Sequence, residues 1–232
     1  MRGLHALCKY ELGVGMKSFV KAAAFAALVV ATGAQAADLG GPVTMGGYKD
    51  DVAYSWWNAG DIFVRVRGEA VLPDTKSTGV NLKASDEVIP EADISYFLTK
   101  NIAVEAICCV SRHELTNAGA KVADTTLFPP TVMLQYHFDM GKLKPYVGAG
   151  VNYTVFFDNT NGLKLDNAWG AAVQVGFDYQ IKGNWFGNVD FKKLWVGTDY
   201  ALGAATGHVD IDPIIVGAGI GYRFGTGYTP LK

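Results

Sequence analysis

Apolar and polar residues alternate with a period of two along eight stretches of the chain, and no stretch repeats convincingly every 3.6 residues. Successive side chains of an extended strand point to opposite faces, so this pattern predicts half-apolar strands rather than helices. The strands are expected near residues 61–72, 89–98, 102–115, 131–138, 145–157, 168–181, 185–196 and 213–224. Strands two and three are joined at Lys100-Asn101, four and five across residues 139–144, and six and seven at Lys182-Gly183-Asn184. The other connections, residues 73–88, 116–130, 158–167 and 197–212, are long and polar. Short and long connections therefore alternate, which in an up-and-down sheet gathers every long loop at one end. Membrane barrels have this layout, with termini and short turns in the periplasm.

A soluble barrel can have similar loops, so the two faces decide. In the sixth stretch one face reads Trp169, Ala171, Val173, Val175, Phe177 and Tyr179, while the other reads Gly170, Ala172, Gln174, Gly176, Asp178 and Gln180. The apolar face starts and ends on an aromatic. Ten residues at about 3.3 Å each, tilted by about 40°, span about 25 Å, the height of a membrane barrel's apolar band. Trp185 and Trp195 repeat the interval, and Tyr153 and Phe157 stand at the end of the fifth stretch. These six residues are expected to form aromatic girdles at the lipid borders.

The polar faces offer Arg65, Arg67, Glu69, Glu105, Gln135, Asn152, Asp178, Asp190, Lys192 and Arg223, with Gly or Ala at many neighbouring positions. Small residues among opposite charges suit a narrow lumen filled by side chains. Arg65, Arg67, Lys192 and Arg223 are expected to face Glu69, Glu105, Asp178 and Asp190, giving a nearly neutral interior. The predicted fold is thus all-β, an eight-stranded antiparallel up-and-down transmembrane barrel over residues 60–224. Ile107 shares the parity of Glu105 and is the apolar candidate for lining a passage. Leu82, Val88, Leu127, Phe128, Leu163, Leu165, Tyr200 and Leu202 make the long connections unusually hydrophobic, as an apolar funnel or packing between loops requires.

Composition changes this picture in three places. Lys17 and Lys21, an apolar run over residues 22–31 and Ala34-Gln35-Ala36 have the form of a secretory signal peptide, so residues 1–36 are expected to comprise an N-terminal extension and a cleaved signal. Residues 37–59 then form a periplasmic segment and residues 225–232 a short tail. A formal charge of -2, with no basic run, argues against nucleic acid as a partner. Among three Cys, Cys108 and Cys109 are adjacent and point to opposite faces, so no disulfide framework is expected.

Candidate chemistry is sparse. Ser111 and His113 share one face of the third stretch, but no Gly-x-Ser-x-Gly elbow exists and Glu114 has the wrong parity to orient the His, so an enzyme is not expected. His137 and His208 lack ligand spacing, and neither a metal nor another cofactor is expected.

Several segments resemble the OmpW family of Gram-negative outer-membrane proteins, which includes AlkL-type hydrocarbon importers. They are residues 60–67 (GDIFVRVR), 128–131 (FPPT), 144–154 (KPYVGAGVNYT), 156–159 (FFDN), 169–172 (WGAA) and 221–224 (GYRF), in order. The resemblance implies an outer-membrane barrel with a narrow, apolar-lined passage that lets small hydrophobic molecules cross the lipopolysaccharide leaflet and leave sideways into the membrane. It implies lipids, lipopolysaccharide, small hydrophobic solutes and the insertion machinery as partners. A structural or receptor-like surface barrel is the alternative. Two departures stand out: a tail follows Phe224, where such chains usually stop, and Lys192 interrupts an apolar lining.

Overall fold

A computed structural model describes residues 56–225. The signal peptide, most of the segment 37–59 and the tail beyond Gly225 lie outside the described residues.

Fourteen strands are present among these residues: β1 Ile62–Leu72, β2 Lys76–Ser77, β3 Leu82–Ala84, β4 Glu87–Phe97, β5 Ile102–Cys109, β6 Ser111–Asn117, β7 Ala120–Phe128, β8 Thr131–His137, β9 Leu143–Phe157, β10 Leu163–Leu165, β11 Ala168–Lys182, β12 Trp185–Leu202, β13 Ala205–Asp210 and β14 Ile214–Phe224. Eight of them close a barrel in the order β1, β4, β5, β8, β9, β11, β12, β14, each antiparallel to its neighbours, and β14 pairs with β1 from Ile62↔Phe224 to Leu72↔Ile214. Closure leaves no sheet edge, the condition for extended chain to cross a bilayer.

The other six strands extend the wall at the long-loop end. Several expectations are corrected here. The stretch 102–115 is two strands broken at Val110, and residues 116–130, expected as a loop, contain β7, which returns along β6 through a turn at Ala118 (φ 50°) and Gly119 (φ 85°). Two successive positive φ angles give the turn whose twist matches a hairpin. Residues 197–212 likewise continue β12 and return as β13. These extensions stand mostly clear of the apolar band, where no greasy face is required, so period two is weak in them.

Side chains divide by parity as a membrane barrel requires. Trp169 is 72% exposed and Val175 51%, whereas Arg65 and Glu69 are 0% exposed. Trp185, Trp195, Tyr179 and Phe157 also face outward, and the rings of Tyr153 and Trp169 lie 4.7 Å apart on adjacent strands. The apolar surface is the outside and the charges are enclosed.

Candidate functional site

The lumen is filled in layers whose composition follows from inward parity and strand register. At the short-turn end Trp56, Trp57, Phe63, Phe97, Ala103 and Phe186 form an apolar plug. Phe63 and Phe97 stand 4.7 Å apart, as do Phe63 and Phe186, and the Trp57 indole donates to the Lys100 carbonyl at 2.6 Å. Lys144 lies over the Trp57 ring and pairs with Asp139 in the neighbouring turn.

Above the plug sits an ionic layer. Arg65 bonds Asp178 through both Nε (3.1 Å) and Nη2 (2.9 Å), and its Nη1 reaches Asp93 at 2.8 Å. Arg67 meets Glu91 at 2.7 Å, Asp93 at 2.8 Å and Glu105 at 3.2 Å. Lys192 caps the layer against Asp190, Glu91 and Glu69 at 2.8, 2.9 and 3.0 Å. Neutral groups link the ions. Gln135 donates to Glu105 and to Gln174 (both 2.9 Å), Gln174 to Asp190 (2.8 Å), Tyr146 to Asp190 (2.7 Å) and Asn188 to Asp178 (2.8 Å). Charges removed from water need such saturation. Glycine supplies the space: a Cβ at Gly217 would collide with the Glu69 carboxylate, and one at Gly176 with the Tyr146 hydroxyl.

Three parts of the expected interior change. Arg223 does not join the ionic layer; it bonds Asp61 and Asn184 at the short-turn rim, because its register partner is Phe63, at the level of the plug. Glu91 and Asp93 were missed, although they lie on the inward face of β4. The layer therefore holds six carboxyl groups, Glu69, Glu91, Asp93, Glu105, Asp178 and Asp190, against three cations, Arg65, Arg67 and Lys192, rather than the expected four of each. Asn152 lies higher in the barrel and donates to Thr131 at 2.9 Å and to the Pro129 carbonyl at 3.1 Å.

The lining then turns apolar. Val71, Ile89, Ile107, Met133, Ala172, Leu194 and Ile215 form one cluster directly over the ions, with Cys109 packed against it. Ile107 is thus part of the floor. Over it lies a small void lined by Val71, Ile89, Leu194, Val196, Ile211 and Ile215 among others. A second small void continues outward past Leu82, Leu115, Leu127, Phe156 and Leu165, and His113 borders both. Of the hydrophobic loop residues, Leu82, Leu163 and Tyr200 pack together, Leu165 and Leu202 close on them, and Leu127 joins Phe156, Ala168 and Val196; Val88 faces outward. Leu82, Leu127 and Leu165 both pack and line the upper void, so the two expected roles coincide.

The wall beside these voids is interrupted. Between the pairs Ile107↔Thr131 and Ser111↔Leu127 the ladder skips residues 108–110 against 128–130. On the other side, pairing of β5 with β4 ends at Glu91↔Cys109. Pro90, Pro129 and Pro130 have no amide hydrogen to donate. Val110, 51% exposed, pairs with neither neighbour.

Ser111 and His113 are buried just above this gap. Ser111 Oγ lies 3.1 Å from His113 Nε2, and His113 Nδ1 lies 2.8 Å from the Ser85 carbonyl oxygen. Burial lowers the His113 pKa below its ordinary value, outweighing the bond to Ser85. Cys108 is exposed and Cys109 half-buried, on opposite faces as parity requires.

The comparisons agree with this architecture. The family model described as "OmpW family" matches residues 58–224. An uncharacterized outer-membrane protein, y4mB, of Sinorhizobium fredii is 40% identical over 222 residues, covering 87% of this chain and 95% of its own. The dibenzothiophene metabolism operon protein PahQ of Pseudomonas aeruginosa is 31% identical over 160 residues, 63% of this chain and 76% of its own. The crystal structure of the outer membrane protein OprG from Pseudomonas aeruginosa superposes with a TM-score of 0.67 at 29% identity, covering 73% of this chain and 98% of that one. With a match from 58 to 224 and a lipid-facing barrel of eight strands, the chain belongs to the OmpW family of outer-membrane proteins of Gram-negative bacteria.

Proposed function

We propose that the protein gives small hydrophobic molecules passive passage from outside the cell through its outer half and sideways into the outer membrane. The observation that carries this reading is the position of the unpaired wall at Val110 beside an apolar void that stands on a sealed ionic floor. An apolar solute gains about 25 cal/mol per Å² on leaving water for such a lining, whereas entering the layer below means separating buried ion pairs. The way straight down is closed and the way out through the wall lacks backbone bonds. The name of PahQ attaches a relative to the metabolism of an apolar sulfur heterocycle, which supports the same class of solute.

In this reading the residues that act on the solute are Ile107, Leu194 and Ile215 as a floor, while Arg65, Arg67, Glu69, Glu105, Gln135, Asp178, Asp190 and Lys192 act as a barrier rather than a pore lining. The wall meets lipopolysaccharide in the outer leaflet, and β14, ending at Phe224, carries the signal read by the insertion machinery. Uptake of n-decane by cells with and without the chain tests passage. Faster uptake with the chain, reduced by Leu194→Trp in a barrel that still shifts its gel mobility on heating, is expected. Equal uptake with and without the chain overturns the reading.

A further inference from the structure

The lower void is not uniformly greasy. Besides the weak thiol donor Cys109, its lining includes Ser111, His113 and Thr154, and the protons of these three are already directed elsewhere. His113 Nδ1 faces the Ser85 carbonyl, which can only accept, so Nδ1 carries the hydrogen and the neutral ring presents Nε2 as an acceptor. Ser111 then donates its hydroxyl hydrogen to Nε2. Thr154 donates to Asn152 Oδ1 at 2.6 Å, and the Asn152 amide is held by Thr131 and the Pro129 carbonyl. Pro73, Pro129 and Pro213, also in the lining, contribute no amide hydrogen. What Ser111 and Thr154 offer the void is therefore oxygen lone pairs.

We infer that the Ser111–His113 pair and Thr154 form a binding site for the head group of an apolar chain bearing one hydrogen-bond donor: an alcohol, a phenol or an undissociated carboxylic acid. A hydrocarbon fills the same space without using the acceptors. A ketone or ether brings only another acceptor and meets no donor but the weak thiol of Cys109. This rests on the passage proposed above and names the solutes that passage favours. The pair is a recognition device; the ring of His113 fixes which way the Ser111 hydroxyl points and thereby its role as an acceptor.

Uptake by cells producing the full chain tests the site with three probes of ten heavy atoms each: 1-nonanol, 2-nonanone and n-decane, each corrected for cells without it. The wild-type chain is expected to favour 1-nonanol over the other two. Ser111→Ala should lower the nonanol-to-decane ratio about fivefold, the worth of one hydrogen bond near 1 kcal/mol. Thr154→Val should lower it independently, and Ser111→Thr, which keeps a hydroxyl, should restore it. Because each barrel is compared with itself through a ratio, a difference in expression does not imitate the result. A ratio unchanged in both Ser111→Ala and Thr154→Val overturns the site while passage stands, and so does equal enhancement of ketone and alcohol. No chain-dependent uptake of any probe overturns both the passage and this site.

Discussion

Arg65 and Asp178, 113 residues apart, meet across the lumen through two parallel hydrogen bonds of 3.1 and 2.9 Å, although β1 and β11 are not neighbours in the barrel. The pair ties opposite walls together, and the planar guanidinium suits this because it grips both carboxylate oxygens at once. Removing it leaves Asp178 buried beside Asp93 and Glu105 with no cation in reach of all three. Arg65→Ala should therefore destabilise the refolded barrel by about 3–5 kcal/mol, the scale for breaking one side of a buried ion pair. Urea unfolding in lipid vesicles measures it. Arg65→Lys, which keeps the charge but not the fork, should recover only part of the loss.

Lipid exposure of the apolar face is tested at Val175, outward-facing and midway between Trp169 and Tyr179. Val175→Arg places a charge near the middle of the hydrocarbon layer, which costs about 2–4 kcal/mol in a membrane barrel. The same change at the border position Trp169 should cost less, since depth sets the penalty. Equal sensitivity at both depths contradicts the placement of the band.

The β12–β13 hairpin should respond to pH through His208. On its exposed surface His208 Nδ1 lies 2.6 Å from Asp199 and Nε2 lies 3.4 Å from Asp210. The hydrogen bond to Asp199, helped by the charge of Asp210, raises the His208 pKa above its ordinary value. A raised folded pKa means that the contribution is complete below the unfolded value, about 6.5, and is lost as pH climbs through the folded one. Protection of β13 amides against hydrogen exchange, corrected for the intrinsic pH effect, should fall as pH rises above the ordinary imidazole value and through the raised folded one. Asp199→Asn should flatten that dependence and return the imidazole titration, followed by NMR, toward its ordinary midpoint.

The barrel strands were legible because a lipid face permits only apolar residues, so Trp169 to Tyr179 announce their side without help from the fold. Height was not legible. Arg223 has the right parity for the lumen, but its pairing with Phe63 brings it down to Asp61, and only strand register carries that information. Glu91 and Asp93 escaped notice because their face begins with Ile89 and ends with Phe97, which serve the apolar layer above and the plug below. Phe63, Phe97 and Phe186 look like girdle residues by type; their meeting at the centre depends on closure of the sheet. The hairpin β6–β7 was hidden for another reason: outside the membrane neither of its faces is held to one polarity, and the Ala118-Gly119 turn is its clearest local mark.

The ionic stratum beneath the greasy chamber has a consequence for the whole cell envelope. Under the proposed function, sugars, salts and water-soluble toxins meet in it ions already bound to one another, and a bacterium can carry the barrel in quantity without loosening its sieve against hydrophilic compounds. If solutes take the proposed route, discrimination comes from where the exit is placed, in the side of the cylinder, and not from how wide a central hole is drilled.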